Sequence, residues 1–180
     1  LGGVGVTTAP LMTPRVAVKA FPRPWAYIPP RDAVDAVAML RRNAITVERL
    51  SEPLELEVQA YVIEGVGFEQ AYNHAAATRL KLADAPLTVT REFPAGSYVV
   101  RTGQMLGRVV AHMLEPETND NVVYWNTMDA WLPLGQVLPA PDRAPDPEEG
   151  FPGFSRPSGP PLVPIYKVMR PTAFPARIIE

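Results

Sequence analysis

A histidine and a glutamate three positions apart form the one arrangement in this chain that resembles a catalytic motif. His112 and Glu115 occur in the order H-x-x-E, a spacing that places two side chains close together on one face of a helix. A hydrolytic zinc site needs three protein ligands and an open position for water. The only other histidine, His74, lies far upstream, and Arg108 precedes His112 by one turn, where its charge would repel a cation. We therefore interpret His112 as a solvated residue paired with Glu115, and we predict no catalytic, metal-binding or cofactor-binding residue in this chain.

Two further motifs favour structural roles. Asn119-Asp120-Asn121 offers oxygen ligands, but no EF-hand spacing and no distal bidentate glutamate follow it. An Asx turn is the better interpretation of these residues. Ser97 is not part of a G-x-S-x-G nucleophile elbow.

Aromatic residues are the remaining candidates for a binding surface. Large aromatic rings near strands can line a groove for a peptide or a carbohydrate, although they more often pack in a core or at its rim. We take four of them as a candidate ligand or interface surface: Trp25, Tyr98, Trp125 and Trp131.

Composition excludes several classes of function. The 180 residues suit one domain with a real core. The formal charge of −2 arises from interspersed signs, so nucleic acid and anionic membranes are not expected partners. No apolar run approaches the roughly 18 residues of a membrane span. The absence of cysteine excludes disulfides and thiolate metal sites.

The order of the predicted helices and strands that would position these residues indicates an α+β fold. Helices are predicted over about Arg31 to Asn43 and over Gln104 to Glu115, where apolar residues recur at helical spacing before Pro116. The first helix stands between predicted strands at Trp25–Ile28 and Ala44–Leu50. Strand, helix and strand in this order are typical of a parallel βαβ unit. We expect a mixed sheet with one βαβ crossover, antiparallel strands and two main helices.

The later elements are more irregular. Alternation predicts a strand from Leu54 to Val62, and Thr78 to Phe93 is either one bulged strand or a hairpin around Asp84-Ala85-Pro86. Val122–Trp125 and Val163–Val168 are predicted strands, the latter at a sheet edge because Pro164 cannot donate a hydrogen bond.

The chain divides into an N-terminal extension and one domain. Residues 1–22 read as a linker, and residues 23–180 as a single α+β domain. Twelve of the 22 prolines lie from Pro133 onward, and they mark residues 138–161 as a proline-rich loop. That loop is either a docking arm or a surface loop.

Six segments of the chain are informative because of the order in which they occur. They are Arg23–Pro30, Leu40–Leu50, Phe93–Val100, Leu114–Glu117, Val122–Asp129 and Pro164–Val168. In this order they resemble segments of the C-terminal non-catalytic region of bacterial M14-type zinc carboxypeptidases. The family's versions are RP-x-AYVIPP, LRRHGI-x-VERL, an FPAGSYVV-like strand, an LLEPES-like helix end, V-x-W-N-x-x-D and a closing YPIYRL.

The resemblance implies a role without implying activity. The family's zinc ligands and catalytic glutamate belong to an upstream domain, so zinc is expected in the parent's catalytic domain and no cofactor is expected in this fragment. The implied function is an accessory domain that packs on or positions the peptidase domain in cis, and the implied location is extracellular or periplasmic. The alternative is an independent module that binds a peptide or polysaccharide and recruits the parent enzyme.

Overall fold

A computed structural model describes residues 20–69, 76–134 and 160–179. The 1–22 linker and the 138–161 loop therefore lie largely outside the described residues, as does His74. No helix in the described ranges is long and apolar enough to cross a membrane. The elements are β1 (Ala26–Ile28), α1 (Val34–Arg42), β2 (Glu48–Leu50), β3 (Leu54–Ala60), β4 (Ile63–Glu69), β5 (Ala77–Leu82), β6 (Leu87–Phe93), β7 (Tyr98–Arg101), α2 (Gly107–Leu114), a 3₁₀ turn (Asp129–Trp131), β8 (Tyr166–Val168) and β9 (Ala176–Ile178).

The fold is mostly β, and the expected α+β class with a mixed sheet is wrong. Seven strands form an antiparallel sheet in the order β6-β3-β8-β1-β7-β2-β9, and β4 and β5 form a second, two-stranded sheet. The two α-helices among the described residues contain only nine and eight residues. β1 and β2 flank α1 and run in the same direction, but β7 lies between them and pairs antiparallel with both. The strand–helix–strand pattern was present in the sequence, but it could not reveal that a later strand is inserted between the two.

β2 and β3 act as one long bent strand, and β6 and β7 act as its partner. The register advances without a shift from Glu48↔Val99 in one ladder to Ala60↔Leu87 in the other. The bend lies at residues 51–53 and 94–96. Gly96 has a φ of +87° there, a conformation that favours glycine.

This bent ribbon makes the sheet curl back on itself. From β7, hydrogen-bonded neighbours lead through β1 and β8 to β3, which continues β2, and β2 pairs with β7 again. One apolar cluster accordingly gathers residues from all seven strands, with Phe93 from β6 and Ala176 from β9 among them. A second cluster packs the other face of the sheet against α1, α2 and the β4–β5 hairpin.

Three predicted elements differ from the structure. Val163–Val168 was expected at an edge, but β8 begins after Pro164 and lies between β3 and β1. The predicted Val122–Trp125 strand is a series of turns. The segment from Thr78 to Phe93 is neither a hairpin nor one strand, because β5 pairs with β4 whereas β6 pairs with β3.

Both helices are shorter than predicted. α2 begins at Gly107 because the chain from Arg101 makes a tight turn first. A Cβ atom at position 107 would lie 1.9 Å from the Thr102 carbonyl oxygen, so only glycine fits this approach. The preceding loop ties β7 to the start of β2, since the Gln104 side chain accepts from the Thr46 N–H and donates to its carbonyl.

Candidate functional site

Glu115 is buried in the core, and its predicted pairing with His112 on the helix surface is wrong. α2 ends at Leu114, and Glu115 has extended backbone angles (φ −83°, ψ 119°). Helical spacing therefore no longer applies to Glu115, and its side chain turns inward while His112 remains exposed. The H-x-x-E spacing does not bring its two side chains together.

Glu115 is the centre of a buried polar network. Its Oε1 accepts a hydrogen bond from the Tyr27 hydroxyl at 2.6 Å, and its Oε2 accepts one from the Tyr61 hydroxyl at 2.8 Å. The Lys167 ammonium lies 2.8 Å from Oε1 and donates to the Tyr61 hydroxyl at 2.9 Å. Lys167 also faces the rings of Tyr61 and Phe21, at 4.8 Å and 5.4 Å from their centroids. We call Tyr27, Tyr61, Glu115 and Lys167 the buried quartet.

Four separate elements supply the quartet. Tyr27 comes from the central strand β1, Lys167 from its neighbour β8, Tyr61 from the residue after β3, and Glu115 from the residue after α2. Tyr27 and Lys167 are direct partners in the β1–β8 ladder, so their side chains share the sheet face that α2 covers. The ladder register therefore places the Tyr27 phenol and the Lys167 ammonium side by side. The Glu115 carboxylate lies next to both because Glu115 directly follows the end of α2.

The electrostatics of the quartet favour neutral tyrosines. Burial raises the pKa of Tyr27 well above its usual value, and the Glu115 charge and hydrogen bond raise it further. The pKa of Tyr61 is raised by the same causes in the same order. Both phenols therefore remain donors to the carboxylate. Within the described ranges, every buried side-chain nitrogen or oxygen has a hydrogen-bond partner.

The quartet is a satisfied structural network. Glu115 and Lys167 are 6% and 3% exposed, so a substrate has no access to either group. In residues 20–69, 76–134 and 160–179, no three His, Cys, Asp or Glu side chains come together as ligands for a metal ion.

The W-N-x-x-D segment has an anchoring role. Thr78 at the start of β5 donates from its hydroxyl to Asp129 Oδ1 at 2.9 Å. Asn126 donates to the Thr78 hydroxyl and to Asp129 Oδ2, at 2.9 Å and 3.1 Å. Asn126 adopts a left-handed φ of 62°, a conformation that asparagine tolerates. The segment thus ties the hairpin to the turns after α2.

The neighbouring Asn121 confirms the predicted Asx turn. Its side-chain oxygen accepts from the backbone N–H groups of Val123 and Tyr124, both at 2.8 Å. This pattern uses the side-chain oxygen to close a turn.

The four candidate aromatic residues occupy different surroundings. Trp25 and Trp125 are each 38% exposed, Trp131 is half-buried, and Tyr98 is buried. Trp25 donates from its indole N–H to the Thr172 carbonyl, and Trp125 meets the Tyr124 ring edge-on at 5.2 Å. The Tyr98 hydroxyl accepts from Arg49, whose guanidinium covers the ring. No ring-to-ring contact in the described ranges joins two of the four.

Sequence reasoning missed three members of the quartet. Tyr27, Tyr61 and Lys167 were assigned to strands or their ends with no polar role. A lysine in β8, where its two strand neighbours Tyr166 and Val168 are aromatic and apolar, was a usable signal. Such a lysine is rarely buried without an acidic partner.

Comparison with known proteins gives a limited match. The chain is 30% identical over 112 residues, or 61% of its length, to proteins named Carboxypeptidase 2 from Trichophyton tonsurans and Trichophyton equinum. The matched region spans only 20% of each of these relatives. No family model matches the chain, and no solved structure matches it significantly. Part of this chain is therefore similar in sequence to a short part of each of these two fungal proteins.

Proposed function

We propose that this chain is a non-catalytic accessory region of a bacterial zinc carboxypeptidase of the M14 type, where it packs on or positions the peptidase domain. One observation carries the proposal. Glu115 of the H-x-x-E motif forms a buried ion pair with Lys167. The chain that contains this pair is similar in sequence to a fifth of the length of each of two carboxypeptidases. The glutamate that would help to hold a metal stabilises the core instead. Zinc and catalysis then belong to another part of the parent protein, at an extracellular or periplasmic location.

Exposed aromatic side chains are candidates for the contact with the peptidase domain. Trp25 and Trp125 expose more than a third of their surface, and exposed tryptophans are enriched at protein interfaces. Tyr98 is too buried to contribute its ring, and Trp131 offers only part of its surface.

A binding titration tests the accessory role. The polypeptide encoded upstream of this chain and the chain itself are produced separately and mixed in a calorimeter. We expect saturable one-to-one binding that weakens at least about tenfold in Trp25→Ala or Trp125→Ala, the loss typical of an interface hot spot. Val34→Ala, which alters another exposed apolar residue, is the matched control. Absence of binding would contradict docking on the peptidase domain.

The exposure of the two tryptophans also favours a second candidate, a module that binds a peptide or polysaccharide. In that case the same tryptophan variants lose retention on an insoluble cell-wall polymer or a peptide column, while the upstream polypeptide produces no heat in the titration. The two experiments together separate the candidates.

A further inference from the structure

Strand β6 is an edge strand that lacks most of the features that usually prevent edge-to-edge pairing. Natural edges are commonly protected by proline, charged side chains (lysine above all), bulges or very short strands. Leu87–Phe93 contains no proline, glycine or lysine, and its only charged residues are Arg91 and Glu92, which have opposite signs. Its seven residues pair with β3 without a register shift. β9, at the other end of the sheet, contains only three residues.

The outer side of β6 has no backbone partner in the part of the chain that the structure describes. β6 pairs with β3 alone, and no other backbone hydrogen bond of residues 87–93 occurs among the described residues. Thr88 and Thr90 are exposed. An open edge of this length can accept another strand.

The sequence of β6 is complementary to itself in the antiparallel direction. With Val89 on a two-fold axis, Val89 faces its own copy, Thr88 faces Thr90, and Leu87 faces Arg91. Paired threonines and paired β-branched residues stabilise neighbouring strands. No like charges face each other in this register. Arg91 is also held against the Tyr166 ring of its own chain, at 4.8 Å from the centroid.

We propose that β6 is a homodimerisation edge, where two copies of this chain join their sheets by antiparallel pairing around Val89. This inference goes beyond the accessory role and stands independently of it. Two-fold dimers are the commonest closed assemblies, and identical patches meet at their axis.

Charge substitutions at the two exposed threonines test the pairing and its register. Because Thr88 faces Thr90 of the other copy, Thr88→Lys with Thr90→Lys places like charges opposite each other twice. Sedimentation equilibrium should show a wild-type dimer of twice the 19.7 kDa chain mass, and the double-lysine variant should dissociate at least about tenfold more readily. Thr88→Lys with Thr90→Glu places opposite charges together and should restore wild-type association. Val34→Lys with Thr46→Lys adds the same charge at exposed positions away from β6 and should leave the dimer unchanged.

Cysteine cross-linking gives a second, independent measurement. The chain has no cysteine, so Val89→Cys introduces one thiol, which should meet its own copy at a Cα separation that permits a disulfide. Thr90→Cys is the matched control, because its thiols lie further apart in this register. A wild-type monomer at every concentration, or a double-lysine variant that associates like the wild type, would overturn the proposal. Cross-linking of Thr90→Cys in preference to Val89→Cys would overturn the register around Val89.

Discussion

At the scale of single residues, the buried quartet explains why the motif with the most catalytic appearance is structural. Helical periodicity predicted the position of His112 correctly, because that residue lies inside α2. It failed for Glu115, since the helix ends one residue earlier. A buried carboxylate needs a cation and several donors, and Lys167, Tyr27 and Tyr61 supply them.

Removal of one charge from the quartet should destabilise the fold strongly. Glu115→Gln leaves the Lys167 ammonium buried without its carboxylate, so the free energy of unfolding should fall by about 3–5 kcal/mol. Lys167→Met should lower the free energy of unfolding by a similar amount. The double variant should lower it by clearly less than the sum of the two single losses, because it leaves no unpaired charge. Urea unfolding measures all three, with His112→Ala as a surface control within about 0.5 kcal/mol of wild type. Additive losses would show that the pair is not coupled.

The quartet should also make the protein sensitive to alkaline pH. In the folded state Tyr27 and Tyr61 have raised pKa values and keep their protons, whereas in the unfolded chain tyrosines release theirs near pH 10. The unfolded state therefore binds fewer protons above about pH 10, and stability must fall there as pH rises. Urea unfolding between about pH 8 and about pH 11 should show this decline. Tyr27→Phe with Tyr61→Phe should have a smaller slope, and an unchanged slope would contradict the assignment.

At the scale of elements, the sequence predicted local structure better than pairing. The strand at Leu54 and both helices were found because their apolar periodicity is strong and local. Partner strands depend on contacts distant in sequence, such as Glu48 with Ile178 in the β2–β9 ladder. Pro164 suggested an edge, but β8 begins after it, so the missing N–H lies outside the ladder.

The β4–β5 hairpin depends on the Thr78–Asn126–Asp129 anchor for its attachment. Thr78→Val keeps the side-chain shape but removes the hydroxyl, which leaves Asp129 and Asn126 short of a partner. The loss of a hydrogen-bonded group of this kind typically costs about 1–3 kcal/mol. Hydrogen exchange followed by mass spectrometry should show faster exchange in peptides that cover residues 63–69 and 77–82. Thr46→Val, at an exposed site, is the control, and unchanged exchange in the hairpin would contradict the anchoring role.

At the scale of the whole molecule, the fold class could not be derived from the order of elements. Strand, helix and strand suggested a parallel crossover, and the curled antiparallel sheet arises because β2–β3 and β6–β7 form one bent ribbon. No local pattern encodes that continuity, which rests on a constant register across a bend with two prolines and a glycine. Periodicity near Trp25 and Tyr98 could not distinguish the exposed ring of Trp25 from the buried ring of Tyr98.

The central proposal is that this chain accompanies a carboxypeptidase without performing its chemistry. The most direct measurement is the release of C-terminal amino acids from peptides in zinc-containing buffer, made side by side on this chain and on the polypeptide encoded upstream of it. We predict that release occurs with the upstream polypeptide, that it is lost on chelation of zinc, and that the 180-residue chain releases none. Zinc-dependent release by the chain itself would contradict the account.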